Sequence, residues 1–436
     1  VLGYITSNKW MKSNYGKTLR KYLTTNTNPL LLINLGSRIF ESANVDSNVL
    51  ITEKNTPKNI HLRSNDLSKT DEILEVTTKL NDNNQIKKSS DDIWIISGEV
   101  EYQIINKIEK KGSSISNWNI EVYRGIVTGL TEAYVINNKK RNELIEKDAK
   151  IENVLEPLLI GRNIKRYLYQ YQGLYLINTH NGYDNPYGEI IERIKIDEFP
   201  RLKEYLDEFE PKLSKRYDKG VTPYNLRNCA YVDNFRKNKI IYPDIGQELS
   251  FTLDNDSHFL TNTSYFLDTD NKYLLSVLNS KLINFYYKNI SAQLGAKGIR
   301  HFTIYIKNIP IPKISADNQG LFIMRVEKIL DLNSKLGSLL DSFIEHLKFK
   351  FSVAQFSNKL NDWHKLEFKD FLKELKKKKV KLSLSEEAEW MNYFNEQRAK
   401  ALEIKAEINK TDKEIDQMVY ELYELTPEEI RIVEGS

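Results

Sequence analysis

The motif LIGRNIKRY, at residues 159–167, places three cations close together after a glycine. They are Arg162, Lys165 and Arg166, and the amide of Asn163 lies between them. Guanidinium and ammonium groups at this density suit phosphates, or the O6 and N7 acceptors of guanine in a major groove. The motif therefore indicates contact with DNA, and a solvated basic loop is the alternative.

Two other loops offer cations in a setting that suits nucleic acid. YNLRNC carries Arg227 between Tyr224 and Tyr231, and this aromatic-flanked cation could meet the DNA backbone or a base. QLGAKGIRHF holds Lys297 and Arg300 beside glycines, which loosen the chain and let its backbone approach a phosphate. We expect DNA contacts from both loops, with a flexible hairpin as the alternative for the second.

The remaining candidates for chemistry are weaker. NPYGE, at residues 185–189, lies in a polar loop rather than after an apolar strand, which does not favour catalysis. Asp244 and Glu248 are not followed by a lysine at the spacing of a metal-dependent nuclease, so a strand and turn explain them. The six histidines are never three or four residues apart, and Cys229 is the only cysteine. Metal binding has no support in the sequence.

Composition limits the class of protein. The 436 residues are 40% apolar and 28% charged, enough for two or three globular domains, and no apolar run approaches the length of a membrane helix. A single cysteine and an N-terminal segment unlike a secretion signal favour a soluble, cytoplasmic protein. Residues 113–313 hold 28 Lys+Arg and 24 Asp+Glu, so their excess of +4 equals that of the whole chain. This charge permits DNA binding without proving it.

Residues 1–112 have the pattern of an α/β domain. VLGYIT predicts a buried strand and is followed by a polar helix at about Ser13–Leu23, and NPLLLINLGS and NVLITEKN predict two more strands. DIWIIS adds a strand before an amphipathic helix that ends at Gly112. Strands with two apolar faces belong to helix-covered sheets larger than this one, so we interpret the segment as the last part of such a domain.

The rest of the chain divides near residue 315. Residues 113–315 alternate short strands rich in Tyr, Ile and Phe with helices such as FPRLKEYLDEFEPKLSKRY, which is α+β in character. Residues 316–436 predict two long antiparallel helices that pack within one chain, separated by a basic, helix-poor insertion, KELKKKKVKLSL, before a short helix beginning at TPEE. The lysines of the insertion suit either a DNA backbone or a solvated face.

Several motifs of the middle segment resemble those of one family in their order along the chain. They are VYRGIVTGLTEAYVI, LEPLLIGRNIKRY, FPRLKEYLDEFEPKLSKRYDKG, YNLRNCAYVDNF, KIIYPDI, YLLSVLNSKLINFYY and YIKNIPIPKI. This order, over residues 118–315, resembles the TaqI-like target-recognition domains of adenine-N6 DNA methyltransferases and type IIG restriction-modification enzymes. GYITSNKWMKSNYGKTLRKYL resembles the strand and helix that follow the catalytic strand of their methyltransferase domain.

The resemblance implies a fold and an organisation. Residues 1–112 would be the C-terminal part of a Rossmann-like methyltransferase sheet, residues 113–315 the target-recognition domain, and residues 316–436 a helical spacer. The chain contains no Asn-Pro-Pro-Tyr and no glycine-rich turn suited to S-adenosylmethionine. We therefore expect no cofactor in this chain, and a catalytic half that lies in a missing N-terminal portion or on another polypeptide.

The resemblance also implies site residues. An enzyme that methylates adenine N6 extrudes the base and stacks it on a flat side chain. The family takes this aromatic from the loop before a late strand, where Phe40 stands, and packing of Phe40 against the helix of Tyr15 and Leu19 is the alternative. VYRGIVTG resembles the family's entry motif, in which Arg124 could touch DNA, unless its glycines only serve a tight turn.

The sequence thus predicts sequence-specific binding of double-stranded DNA, as the target-recognition half of an S-adenosylmethionine-dependent adenine-N6 methyltransferase, with no methyl transfer by this chain alone. A second hypothesis is a non-catalytic specificity subunit that recruits a separate methyltransferase chain. A third is a helical assembly protein whose basic loops are incidental. Failure to retard any duplex at low salt would favour the third hypothesis.

Overall fold

The computed structural model describes residues 1–12, 14–36, 46–57, 61–67, 85–87, 94, 99–185, 187–291, 298–353 and 356–435. Two predicted site residues, Phe40 and Lys297, lie outside these ranges, as does most of the predicted strand DIWIIS. No helix in the described ranges combines the length and the apolar character needed to cross a bilayer.

The described residues of the N-terminal segment form a mixed sheet of five strands in the order β1-β3-β2-β4-β5. β3 is antiparallel to both β1 and β2, whereas β2 and β4 are parallel. Buried Leu23, Leu32 and Leu50 pack with Trp10 and Trp94, whose rings meet edge to face at 5.2 Å. The predicted succession of strand, helix, strand and strand is confirmed, and the Rossmann-like assignment stays a prediction. The prediction that the first strand is buried is wrong, because β1 lies at the end of the sheet among the described residues and is largely exposed. The elements are β1 (Leu2–Ser7), α1 (Lys9–Lys12), α2 (Lys17–Asn26), β2 (Asn28–Gly36), β3 (Ser47–Glu53), β4 (His61–Asp66) and β5 (Gln85–Lys87).

The helix predicted to end at Gly112 is α3 (Glu99–Lys111). It buries Ile104, Ile105 and Ile108 in the large core of the middle and C-terminal elements, not against the five-stranded sheet. A Cβ at Gly112 would lie 2.3 Å from the backbone of Pro310, so only glycine lets the chain pass here. The packing of α3 therefore differs from what its place in the sequence suggests.

The middle segment is built on two four-stranded sheets, in the orders β18-β9-β12-β8 and β17-β15-β19-β7. Every residue of β15 is buried, because hydrophobic cores cover both faces of its sheet: Ile240 faces one core and Ile241 the other. The strands are β6 (Ser113–Ser114), β7 (Val122–Arg124), β8 (Val135–Asn137), β9 (Leu155–Leu159), β10 (Ile164–Lys165), β11 (Leu168–Tyr169), β12 (Leu174–Ile177), β13 (Tyr183–Asp184), β14 (Ile190–Ile191), β15 (Lys239–Pro243), β16 (Ile245–Gly246), β17 (Thr252–Asp254), β18 (Phe259–Leu260), β19 (Ser264–Leu267), β20 (Ile299–Arg300) and β21 (Pro310–Ile311).

One helix predicted in this segment is wrong in its extent. FPRLKEYLDEFEPKLSKRY forms two short helices instead of one, because Pro211 lacks the N–H that a continuous helix needs. The predicted alternation of short strands and helices is confirmed. The helices of the segment are α4 (Thr131–Tyr134), α5 (Asn138–Lys147), α6 (Pro200–Asp207), α7 (Lys212–Lys215), α8 (Lys272–Leu278), α9 (Lys281–Ile290) and α10 (Thr303–Lys307).

The C-terminal segment is a long helical hairpin, as predicted. Its helices, α11 (Ala316–Phe351) and α14 (Leu384–Leu422), begin at the serine caps Ser315 and Ser383. Between them lie α12 (Asn358–Asn361) and α13 (Phe368–Lys377), so the first half of the basic insertion is helical, contrary to the prediction. The chain ends with α15 (Pro427–Glu434), which begins at TPEE with a capping box.

The hairpin has a core at each end. At its base, Val326 and Ile415 join the core of the middle segment. At the far end, the close of α11, the start of α14 and the helices between them enclose a separate aromatic core that includes Phe343 and Trp363. We call this far end, residues 343–394, the distal lobe. It is held at a distance from the sheets by the two long helices.

Candidate DNA interface

The site is organised by a turn that joins β18 to β19. Within it, both the backbone N–H and the hydroxyl of Ser264 donate to the carbonyl of Thr261 at 3.0 Å. The hydroxyls of Thr261 and Thr263 lie 2.7 Å apart, so one donates to the other. These contacts fix the tract Thr-Asn-Thr-Ser, with Asn262 and Thr263 exposed at its tip.

Two glycines let neighbouring segments approach this turn closely. A Cβ at Gly125 would lie 2.0 Å from the carbonyl oxygen of Thr261, and one at Gly161 would lie 2.1 Å from that of Thr263. Both distances are below any real contact, so side chains are excluded at these positions. The predicted arginines, Arg124 and Arg162, are the chain neighbours of these glycines, and close approach therefore places both beside the turn.

The segments converge on an open cleft of about 480 Å³. The hydroxyl of Thr263 accepts from the N–H of Gly161 at 3.0 Å, and its carbonyl accepts from the N–H of Asp244 at 2.8 Å. Side chains and backbone of four segments meet here, all within the middle part of the chain. The lining residues are Thr131, Ile160, Gly161, Arg162, Pro243, Asp244, Ile245, Thr261, Asn262 and Thr263.

Three of the predicted arginines surround this cleft. Arg162 lines it and is exposed. Arg124, also exposed, donates from Nε to the carbonyl of Asn262 at 3.4 Å. Arg300 binds Asp244 with Nη2 at 3.0 Å from Oδ2 and Nε at 3.3 Å from both carboxylate oxygens. The structure thus brings together residues that are 176 positions apart along the chain.

Asp244 orients Arg300 and raises the pKa of Arg300 and of Tyr265. Its carboxylate is mostly buried, and its hydrogen bond to Arg300 raises the pKa of that guanidinium above its ordinary value. Burial, and then the charge of Asp244, raise the pKa of the Tyr265 hydroxyl, while Arg124 and Arg300 lower it. The guanidinium of Arg300 also lies 5.3 Å from the ring centroid of Phe302. Arg300 is therefore held in position rather than left to move freely.

Arg227 lies on a loop that contributes no residue to the lining of the cleft. It is 61% exposed and pairs with Asp218 at 3.1 Å. The loop is anchored by buried Arg216, which donates to the carbonyl oxygens of Thr128, Pro223 and Asn225 and to the hydroxyl of Tyr134 at 2.7 Å. Burial lowers the pKa of Arg216. This anchor presents Arg227 at the surface on a fixed backbone.

The remaining members of LIGRNIKRY do not join the cleft. Asn163 is buried, and Lys165 is exposed in the hairpin of β10 and β11. Arg166, at the turn of that hairpin, binds Asp412 of α14 with 2.6 Å between Nη2 and Oδ1. This ion pair fastens the hairpin to the long helices. The dense basic motif is therefore divided between the cleft and a contact between segments.

A cluster elsewhere, with Asp254 and His258 buried and Asp256 exposed, has the composition of a metal site. Asp254, Asp256 and His258 place ligand atoms within 4.8 Å of one another. The carboxylate of Asp254 already accepts from the fully buried ammonium of Lys239 at 2.6 Å and from His258 at 2.9 Å. An internal cation thus satisfies this carboxylate, and we assign no metal to it.

Sequence reasoning missed several residues of the cleft. Thr261, Asn262 and Thr263 were not identified, and Asp244 was explained as part of a strand and turn. The signal was present, because the tract Thr-Asn-Thr-Ser interrupts two apolar strands with four consecutive hydrogen-bonding side chains. Only the fold shows that Asp244 faces the same cleft.

Three family models match segments of the chain. Residues 156–311 match the TaqI-like C-terminal specificity domain, residues 1–40 match the Eco57I restriction-modification methylase, and residues 315–419 match a domain of unknown function, DUF8810. The resemblance to restriction-modification methyltransferases is confirmed. The cleft lies mostly within the specificity-domain match.

Two curated relatives are type II methyltransferases. M.BstVI of Geobacillus stearothermophilus is 21% identical over 384 residues, which cover 81% of this chain and 66% of the relative. M.PaeR7I of Pseudomonas aeruginosa is 20% identical over 333 residues, which cover 72% of this chain and 55% of the relative. The chain thus spans between half and two thirds of the length of these relatives.

Two solved structures are similar over most of the chain. One is the type IIL restriction-modification enzyme MmeI in complex with DNA, with a TM-score of 0.48 and 10% identity over 92% of this chain and 50% of that enzyme. The other is the type IIG restriction endonuclease BpuSI, with a TM-score of 0.37 and 14% identity over 98% of this chain and 47% of that enzyme.

Proposed function

We propose that the chain binds double-stranded DNA in a sequence-specific manner, as the target-recognition part of an adenine-N6 DNA methyltransferase of the type IIG restriction-modification kind. The observation that carries the proposal is the cleft at which Arg124, Arg162 and Arg300 converge around the Thr-Asn-Thr-Ser turn. It combines cations for phosphates with amide and hydroxyl groups that can read base edges.

Arg300 has the geometry of a base reader. Asp244 engages its Nε and Nη2 edge, and no acceptor among the described residues is bonded to Nη1. The outer fork of the planar guanidinium, formed by Nη1 and the second N–H of Nη2, is therefore available for two parallel hydrogen bonds. The O6 and N7 atoms of guanine accept such a pair in the major groove. Arg124 and Arg162, which have no comparable clamp, suit phosphates.

The family implies S-adenosylmethionine, and the described residues do not fit it. Gly3 lies inside β1, Gly36 ends β2, and Gly16 packs against the backbone of Trp10, so none of them starts a helix directly after a strand. A cofactor of this kind needs backbone approach at such a turn. We derive no methyl transfer through this chain alone, and labelled S-adenosylmethionine with duplex DNA should give no transfer.

The test is selection of duplexes from a randomised library, followed by sequencing of the bound pool. We expect enrichment of one short motif by the unaltered chain. Arg162→Gln should weaken binding about equally to all duplexes, whereas Arg300→Gln should relax one position of the motif. Arg201→Gln is the matched control, because Arg201 is an exposed arginine paired with Glu204 away from the cleft. A pool with no enriched motif would contradict the proposal.

A second candidate is a specificity subunit that recruits a separate methyltransferase chain. The observation that favours it is the edge strand β1, where Leu2, Tyr4 and Ile5 are 45–61% exposed. An exposed apolar edge strand is suited to pairing with another strand. Co-expression with a chain that carries Asn-Pro-Pro-Tyr should then restore methylation, and substitution of Tyr4 by lysine should prevent it without loss of DNA binding.

A further inference from the structure

The distal lobe is basic: residues 343–394 hold 11 lysines and 8 acidic residues, and the positive excess lies in residues 343–382. Residues 343–382 hold 11 lysines and 5 acidic residues, a net charge of +6, whereas the whole chain has +4. The other 396 residues are therefore slightly negative in sum. This segment lies within the match to a domain of unknown function, and the proposed cleft does not use it.

The lysines stand on a folded lobe with its own packed core. Phe343 stacks on Trp363 with 3.9 Å between ring centroids, and Phe371 packs on Phe394 at 4.7 Å. Trp363 and Phe371 are fully buried. The lobe thus has its own aromatic core, so its charges occupy fixed places on a folded surface. A disordered basic tail would not have this property.

One edge of the lobe presents lysines without acidic partners. Lys373 and Lys377 pair with acids one helical turn earlier on α13. Four others, in the last turn of α13 and just after it, are exposed, and within the described ranges no carboxylate lies within ion-pair distance of them. These four exposed side chains are Lys376, Lys378, Lys379 and Lys381. We call them the lysine edge.

The backbone at the lysine edge includes a residue in an unfavourable conformation. Lys379 has a φ of +62°, and it ends α13 in the left-handed conformation. Its N–H donates to the carbonyl of Lys376 at 2.9 Å, and the N–H of Val380 donates to the carbonyl of Leu375 at 3.2 Å. Glycine is the usual residue at this place in a helix terminus. Lysine adopts this conformation less readily than glycine, and its presence here is consistent with a use for its charge.

We propose that the lysine edge is a second DNA-contacting surface, which binds phosphates of the duplex that flanks the recognised sequence. The proposal rests on the DNA binding proposed above and extends it. Phosphates are favoured over an acidic protein because lysine is depleted in protein–protein interfaces, while it is a common phosphate ligand. The 39 residues of α14 extend about 58 Å at 1.5 Å per residue, which is the length of about 17 base pairs of duplex at 3.4 Å each.

The test compares two triple variants in binding measurements over a range of salt concentrations. The first is Lys376→Gln, Lys378→Gln and Lys379→Gln. The matched control is Lys139→Gln, Lys147→Gln and Lys150→Gln, which removes the same charge from exposed lysines on and after α5. Each variant is measured on duplexes of about 15 and 40 base pairs that carry the selected motif, and on a 40-base-pair duplex without it.

The first triple variant should reduce the salt slope on the long duplex by about 2.7, which is 0.9 for each lost phosphate contact. At 0.1 M salt this corresponds to a loss of affinity of up to about 500-fold, equal for duplexes with and without the motif. On the short duplex the variant should bind like the unaltered chain, and its preference for the motif should persist. The control variant should keep the slope within about one unit.

An unchanged slope in the first variant, or an equal fall in the control variant, would overturn the proposal and leave an acidic protein as the remaining occupant. This failure is distinct from failure of the proposed function, in which the unaltered chain shows no preference for any motif. Lys379→Gly checks the fold, because glycine accepts the positive φ. It should melt no lower than the unaltered chain, yet bind the long duplex more weakly.

Discussion

Asp244→Asn separates charge from orientation at the cleft, because the two effects have opposite signs. The substitution keeps the size of the side chain and leaves one acceptor where the carboxylate offered two oxygens to Arg300, at 3.0 and 3.3 Å. It also removes a negative charge. Overall attraction to DNA should therefore increase slightly, while the hold on Arg300 is weakened.

The magnitudes follow from these contacts. A hydrogen bond to a charged group contributes about 1.5 to 3 kcal/mol, and because the Arg300 side chain is 40% exposed we expect only about 1 kcal/mol of lost stability. A bidentate contact to guanine discriminates by about 1 to 3 kcal/mol, which is about 5- to 150-fold. Asp244→Asn should lose most of this preference at one base pair.

The assay is binding to the selected duplex and to a set with single base-pair changes, with thermal melting of each variant alongside. The expected result is discrimination lost at one position, with binding to unrelated duplexes equal or tighter. The reasoning would be refuted by unchanged discrimination at every position, or by an equal loss of affinity for all duplexes. The second result would mean that Asp244 only supports the fold.

Three further outcomes test the packing around the cleft and the long helices. Burial raises the pKa of Asp416 to about 6, so its protonation stabilises the fold fully below about pH 4, and that stability is lost as pH rises through 6. At pH 7.5, Asp416→Asn should therefore raise the free energy of unfolding by at most about 3 kcal/mol and raise the melting temperature accordingly. At pH 4 it should have little effect. Gly161→Ala places a Cβ 2.1 Å from a carbonyl oxygen, so it should lower the free energy of unfolding by about 1 to 3 kcal/mol and remove most of the DNA affinity. Gly337→Ala lies in open space on α11 and should raise the free energy of unfolding by about 0.5 to 1 kcal/mol. Both changes are measured by denaturant unfolding. Arg216→Ala leaves buried acceptors without a donor, so it should lower the free energy of unfolding by about 3 kcal/mol in the same measurement. Arg227→Gln should weaken DNA binding and leave the melting temperature unchanged.

Sequence patterns predicted the parts of the fold that depend on local chemistry. The long helices α11 and α14 follow from apolar spacing and from capping at Ser315 and Ser383. Arginines next to glycine predicted two members of the cleft, since Gly125 and Gly161 are needed for close approach to one turn. In each case the determining residues are close together along the chain.

The parts that escaped prediction depend on partners distant in sequence. Arg166 looked equivalent to Arg162, yet it is held by Asp412, which lies 246 residues away. α3 was grouped with the sheet that precedes it, but Ile104 is buried in a core completed by the C-terminal helices. The role of Asp244 depends on Arg300, 56 residues later. No local pattern records such pairings, because they arise only when the segments pack.

The most direct test of the central claim is hydrogen–deuterium exchange of the chain with and without its selected duplex. The account predicts that DNA slows exchange most in the four segments that form the cleft, residues 124–131, 160–163, 243–246 and 261–264, with a smaller effect at residues 376–381 when the duplex is long. Slowed exchange confined to other faces, with these four segments unchanged, would contradict it.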